Sequence, residues 1–260
     1  MATAPTIQKS RMTLNVRGTW SARDDRKASA VWLGILWVGM IAGFGVDLPS
    51  YLHLNPPAPI IVHVHAAVFT VWMLLLTAQV LLVVGDRVTL HRKLGVFAVG
   101  WACLMAVMGP AAFIAIVAQG ARLHGPFPYP FISVHVADIG GFLVLLACGL
   151  ALRKNPAAHK RMMILSTVAL ADPGFSRFSG HFLPEPTSVF PWFIYYFYGN
   201  LLLIALMLAW DWWRGRLIRS HVIGSASLVA ALYVASLMYF WPPWKNLTEQ
   251  WVVVWAKHFG

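Results

Sequence analysis

Long apolar segments alternate with short polar turns along almost the whole chain. The apolar segments cover residues 30–46, 60–84, 94–117, 131–152, 159–178, 189–210 and 222–240. Each is close to the roughly 20 residues that a helix needs to cross the hydrocarbon core of a bilayer. Because a helix satisfies its own backbone hydrogen bonds in lipid, the pattern predicts an all-α polytopic membrane protein with seven transmembrane helices.

Two hairpins formed by these segments share a sequence pattern. In the first, Val-His-Ala-Ala at 64–67 is followed by an apolar run, a basic turn and His-Arg-Lys-Leu at 91–94. In the second, Val-His-Val-Ala at 134–137 is followed by the same features and by His-Lys-Arg-Met at 159–162. We therefore predict that spans two to five form a four-helix core built from a duplicated two-helix hairpin.

Composition and charge agree with a membrane location. The 260 residues are 59% hydrophobic and 11% charged, and the mean hydropathy is +0.66, which excludes an ordinary soluble domain. The net charge of +11 does not indicate nucleic-acid binding, because most Lys and Arg residues lie in the N-terminal tail and in turns 85–93, 153–161 and 211–221. The positive-inside rule then predicts a cytoplasmic N-terminus and a periplasmic C-terminus.

The chain is expected to form one membrane domain with a short extension at each end. Residues 1–28 are predicted to be a cytoplasmic polar tail, and residues 29–245 the seven-helix domain, with repeat halves at about 60–118 and 130–178. Residues 246–260 alternate polar with bulky apolar side chains. This pattern indicates a periplasmic segment that lies flat at the membrane interface.

One pair of repeat-matched histidines lies near the predicted periplasmic ends of spans two and four. His65 and His135 are about five and four residues into their helices, so both lie about 6–8 Å deep at 1.5 Å per residue. Ionisable groups at this depth are costly and usually functional. We expect the pair either to hold a heme or a metal ion, or to hydrogen-bond between helices.

Further ionisable residues are predicted on the same side of the membrane. Asp138 shares a helix face with His135, and could orient a histidine or complete a set of two histidines and one carboxylate. Arg177 is expected to pair with Asp172 or to contact a substrate or a heme propionate. The candidate ligands of a metal ion are His65, His135, Asp138, His181 and Asp172.

A second repeat-matched pair, His91 and His159, lies at the predicted cytoplasmic interface. About 19 residues of span two separate the two pairs, which is roughly 29 Å of helix, so one cofactor cannot contact both. The second pair therefore either binds a second cofactor or belongs to basic turns that bind lipid phosphates. His221, at the start of span seven, is expected to be interfacial.

This arrangement of histidines resembles the diheme transmembrane cytochrome b family that includes ascorbate-dependent ferric reductases. The resemblance implies that His65 and His135 bind an outer b heme, that His91 and His159 bind an inner one, and that electrons cross the bilayer. Residues 91–95, His-Arg-Lys-Leu-Gly, are also similar to a His-Arg-x-x-Gly turn in uncharacterised bacterial membrane proteins. Both likenesses imply a multi-pass membrane protein, and the second implies the bacterial inner membrane.

Three functions remain open from the sequence. The first is a redox protein that uses heme b and exchanges electrons with a quinone or a small-molecule reductant, alone or within a larger membrane complex. The second is a membrane enzyme that depends on zinc, copper or non-heme iron and has a periplasmic His/Asp site. The third is a non-catalytic subunit or a transporter with a polar pathway.

Overall fold

The computed structural model describes residues 22–125 and 129–259, and this part of the chain folds into nine α-helices and no β-strands. Most of the predicted polar tail, residues 1–21, lies outside the described residues, and α1 already begins at Ala22. The helices are α1 Ala22–Leu52, α2 Ile60–Val84, α3 Val88–His124, α4 Ile132–Ala151, α5 Pro156–Val168, α6 Asp172–Phe182, α7 Val189–Trp213, α8 Arg219–Phe240 and α9 Pro242–Phe259.

Six of the described helices are long and apolar enough to cross a membrane. They are α1, α2, α3, α4, α7 and α8, which confirms a multi-spanning all-helical protein. The predicted fifth span, residues 159–178, instead falls on two short helices, α5 and α6. Pro173 explains the interruption, because proline disfavours helical conformation in the residue before it and suits the first turn of a new helix.

The surface of the bundle agrees with a lipid environment. Many large apolar side chains that face away from the core are more than half exposed, and they are spread along several of the long helices. Such a surface would be unfavourable in water but is matched by acyl chains. Examples are Val38, Val96, Val107, Val136 and Val144.

Side chains from three helices of the predicted core meet at Trp72 on α2, which is buried. The indole nitrogen of Trp72 donates a hydrogen bond to Thr167 Oγ1 on α5 at 3.1 Å. The ring of Phe142 on α4 contacts the indole edge to face at 5.1 Å between centroids. About one turn before Trp72, the carbonyl of Val68 accepts a hydrogen bond from Trp101 of α3 at 2.9 Å.

Small residues allow α1 and α6 to pack closely. Gly39 and Gly43 lie one turn apart on α1, and a Cβ at Gly43 would overlap the carbonyl oxygen of Gly174 on α6. A Cβ at Gly39 would overlap the ring of Phe175. Glycines at this spacing let helix backbones approach each other in membranes.

Ion pairs join the start of α1 to the three basic turns, which all lie at one end of the bundle. We call it the basic end, and the opposite end the His65 end. Three consecutive residues of α1 each pair with a residue of a different basic turn: Asp24 with Arg214, Asp25 with Lys160 at the start of α5, and Arg26 with Asp86.

At the His65 end, α9 packs against the last turns of α3. Val252 of α9 is buried against Val117 and Ala121 of α3. The predicted interfacial segment, 246–260, falls within this helix except for residue 260, which lies outside the described residues.

Candidate functional site

The histidines of the basic end occupy equivalent positions in the two repeats. His91 is the fourth residue of α3 and His159 the fourth residue of α5, and both side chains are half-buried. Their ring centroids are 6.3 Å apart, with an angle of 82° between the ring planes. The fold therefore brings this predicted pair together.

Hydrogen bonding orients the ring of His159. Its Nδ1 lies 2.7 Å from the carbonyl oxygen of Gly149, and since a carbonyl can only accept, this nitrogen is the donor. The lone pair of the neutral ring is then on Nε2, as in histidines that ligate metals. His91 Nδ1 is buried and has no hydrogen-bond partner among the described residues.

The predicted pair of the opposite end, His65 on α2 and His135 on α4, is also half-buried. The charges of the two rings are close enough to interact with each other. Aromatic rings surround both histidines: Phe69 lies 4.1 Å from His65, and Phe113 and Phe131 lie 4.6 Å and 5.2 Å from His135, between ring centroids.

His65 also has an unsatisfied nitrogen. Its Nδ1 is buried without a hydrogen-bond partner in the part of the chain that the structure describes. Its neighbour on the same helix, His63, points outwards and lies 2.8 Å from the hydroxyl of Tyr51. Only one of the two adjacent histidines thus faces the bundle.

The distance between the two histidine pairs follows from the positions along α3 that lie beside them. His91 is near its start, and the backbone of Met108 lies beside His65. The 17 residues between them correspond to about 25 Å of helix. The two pairs therefore form separate sites near opposite ends of the bundle.

At the His65 end, Arg177 makes a contact that the sequence did not predict. Its Nε lies 3.0 Å from Asp47 on α1, and its Nη1 donates to the carbonyl of Pro173 at 2.8 Å. The expected pairing with Asp172 is thus replaced by a pairing with Asp47. His181 is exposed, with its ring 4.9 Å from that of Phe182.

Tyr129 lies on the same side, in the connection before α4. Its ring packs against Phe113 at 5.1 Å between centroids. Burial raises the pKa of the Tyr129 hydroxyl, and the positive charge of Arg177 acts in the opposite direction. Tyr129 therefore remains neutral at physiological pH.

The two predicted aspartates are the most buried members of the candidate set. Asp138 on α4 is 5% exposed and Asp172, the first residue of α6, is 2% exposed. Each has one oxygen, Oδ1, without a partner among the described side and main chains, and their charges interact. Among the described residues, no three His, Cys, Asp or Glu side chains are grouped closely enough to hold a metal ion.

A buried ion-pair network at the basic end was missed. Arg161 on α5 makes two bonds of 2.5 Å to the carboxylate of Asp211 on α7 and one of 3.1 Å to Asp25 on α1. His221 on α8 lies 2.7 Å from Asp211 and is 1% exposed. His221 is thus buried within the protein at the basic end.

The sequence contained a signal for this network. Asp211 interrupts an apolar segment next to Trp210, and an ionisable residue at the end of a span usually has a partner. The basic turn that contains Arg161 indicates topology and lipid-phosphate binding in the sequence, but it also supplies this guanidinium. A carboxylate and a guanidinium at the same predicted depth could have been paired.

Comparison of the chain with family models, with curated proteins and with solved structures gave no match. The function therefore has to be argued from the residues and the geometry of this chain.

Proposed function

We propose that the protein is a membrane redox protein that binds b-type heme between histidines of facing helices and transfers electrons. The observation that carries the proposal is the His91–His159 pair. These rings come from equivalent positions of two repeats, face the same interhelical space and lie 6.3 Å apart.

A metal–imidazole bond is about 2.0–2.1 Å, so His91 and His159, whose ring centroids are 6.3 Å apart, would be close enough to hold one iron between them. The hydrogen bond from His159 Nδ1 to Gly149 leaves Nε2 as the ligating atom. A carbonyl that accepts a hydrogen bond from a ligating histidine both orients the ring and increases its basicity.

His65 and His135 are the proposed ligands of a second heme at the opposite end. The buried Nδ1 of His65 has no hydrogen-bond partner among the described residues, which supports a ligand at this position. The rings of Phe69, Phe113 and Phe131 offer flat apolar surfaces for a macrocycle. When bound through two histidines, heme supplies a one-electron centre with no open position for oxygen, which favours electron transfer.

The proposed topology has seven crossings. Helix α5 contains 13 residues and α6 contains 11. Placed end to end they are about 36 Å long at 1.5 Å per residue, which exceeds the roughly 30 Å thickness of the hydrocarbon core. We assign the basic end to the cytoplasm because of its positive charge. The protein would then lie in a bacterial inner membrane, with one heme near each face and a quinone or a small reductant as electron partner.

An absorption spectrum tests the proposal. The protein is purified from cells supplied with iron and a heme precursor, and reduced-minus-oxidised spectra and heme content are measured. We expect b-type bands and two hemes per chain. His159→Leu and His65→Leu should each remove one heme, whereas the control His63→Leu, on the outer surface of α2, should retain both.

Three results would contradict the proposal in different ways. Absence of b-type bands in the wild-type protein would refute heme binding. Stoichiometric zinc, copper or non-heme iron without such bands would support a metal-dependent enzyme instead. Full heme content in both His159→Leu and His65→Leu would show that other residues are the ligands.

A further inference from the structure

The interruption between α5 and α6 lies beside two buried carboxyl groups for which the heme proposal has no use. We propose that Asp138 and Asp172 form a proton-binding site within the membrane. Together they hold one proton, which exchanges with the aqueous phase at the His65 end. This proposal does not require that heme is bound.

The burial and bonding of the two side chains are the first evidence. Asp138 and Asp172 are at least nine-tenths buried, and each has an Oδ1 atom that no donor in the described residues reaches. The two carboxyl groups lie within electrostatic range of each other. Two oxygens that require a donor thus lie in one apolar region.

The backbone around the pair is the second, independent evidence. Helix α5 ends at Val168 and α6 begins at Asp172. Asn200 of α7 donates from Nδ2 to the carbonyl of Val168 at 2.8 Å, and this side chain is fully buried. Its own Oδ1 has no partner among the described residues. A third unsatisfied acceptor, from α7, therefore lies beside the interrupted helix, and membrane proteins use interrupted helices for ion and proton sites.

Helix α4 passes close to this interruption. A Cβ at Gly141 would lie 3.4 Å from the Cβ of Ala169, in the link between α5 and α6. Asp138 is one turn before Gly141 and therefore lies on the same face of α4. This packing explains why carboxyl groups that are distant in sequence interact.

Charge then requires a bound proton. Two ionised carboxylates in a medium of low polarity repel each other and lose their hydration, so one of a close pair keeps its proton at neutral pH. The cation within range, Arg177 on α6, is already bonded to Asp47 of α1. Other titratable side chains within range of Arg177 are His135 on α4 and His65 on α2.

A proton fits the site better than a metal ion. Among the residues that the structure describes, no group of three His, Cys, Asp or Glu side chains is available for a metal, whereas a single carboxyl oxygen is sufficient to hold a proton. Exchange with water has a short route. Arg177, five residues or about 7.5 Å of helix after Asp172, has a side chain that is 40% exposed.

The test uses dicyclohexylcarbodiimide, which modifies protonated carboxyl groups in apolar surroundings. The full-length protein in lipid vesicles is labelled between pH 6 and pH 9, and adducts are mapped by peptide mass spectrometry. At neutral pH we expect about one adduct per chain, on Asp138 or Asp172. Asp47, a carboxyl group near the surface, should remain unmodified.

Substitutions distinguish a coupled pair from two independent groups. In Asp138→Asn and in Asp172→Asn the remaining carboxyl group should still be labelled, but its labelling midpoint should fall by about one pH unit or more, because the neighbouring charge is gone. The double variant should lose the label, and Asp47→Asn should retain it. Midpoints equal to that of the wild type would refute the pair.

Two further results would overturn the proposal. Absence of any adduct on Asp138 and Asp172 in the wild type at neutral pH would show that both are ionised. Protection by sodium chloride, but not by choline chloride at the same pH, would identify a sodium site. Should the variants fail to fold, the infrared band of a protonated carboxyl group in the wild type decides: its absence at neutral pH refutes the site.

Discussion

The contact between α1 and α6 gives the sharpest test of the fold. Gly43 of α1 faces the backbone of Gly174 in α6, and a Cβ added there would lie 2.5 Å from the carbonyl carbon and 2.9 Å from the Cα of Gly174. We therefore choose Gly43→Ala as the perturbation. Its matched control is Gly45→Ala on the same helix, because a Cβ at Gly45 meets nothing within 4 Å.

The cost of the substitution follows from these distances. Ordinary van der Waals contact begins near 3.4 Å, so α1 and α6 must separate by about 1 Å, and neither backbone can rotate away as a side chain would. Overpacking of this kind costs about 1–3 kcal/mol and sometimes more. Alanine offsets part of this cost, because it stabilises a helix by about 1 kcal/mol relative to glycine. Because the overlap is with backbone atoms, we take the upper end of the overpacking cost, about 3 kcal/mol, and after subtracting about 1 kcal/mol of helix propensity we expect Gly43→Ala to lower the free energy of unfolding by about 2 kcal/mol.

Thermal unfolding in detergent, followed by circular dichroism, measures the effect. For a chain of this size about 2 kcal/mol corresponds to a decrease in Tm of about 4–8 °C. Gly45→Ala should leave Tm unchanged or raise it slightly. Equal Tm values for the two variants would show that α1 and α6 do not approach each other at Gly43.

Two other substitutions test the polar contacts of the bundle by the same measurement. Arg161→Leu leaves the buried carboxylate of Asp211 without its guanidinium, while Asp25 keeps its pair with Lys160, and should cost about 3–5 kcal/mol; Arg153→Leu, at an exposed arginine of the same turn, should change little, and equal effects would contradict the network. Trp72→Phe removes the donor to Thr167 and should cost about 1 kcal/mol; a variant as stable as the wild type would show that this hydrogen bond contributes nothing.

The helices could be predicted because the signal for them is local. Hydrophobicity over about 20 residues reports directly on the ability of a segment to cross a bilayer, and six of the predicted spans correspond to long apolar helices. The extent of α3 could not be predicted in this way. It continues beyond residue 117 to His124, where Val117 and Ala121 pack on α9, and that support comes from a distant part of the chain.

The candidate site was only partly predictable for a related reason. The repeat identified His91 and His159 as a pair, because residues at equivalent positions of duplicated hairpins lie at the same depth. The partners of Arg161 and Arg177 could not be identified by the repeat. Each binds an aspartate of α1 or α7, and these helices lie outside the duplicated core.

The differences between the two hairpins account for the position of the carboxyl pair. Pro110 lies within α3, which continues through it, whereas the corresponding part of the second hairpin is interrupted before Pro173. The following residue, Gly174, packs against α1. The interruption therefore lets α6 take a position that a straight continuation of α5 would not reach. It also places Asp172 at the start of a helix inside the bundle. The histidines precede this point in both hairpins, so they lie at equivalent positions of the two repeats, whereas the two carboxyl groups do not.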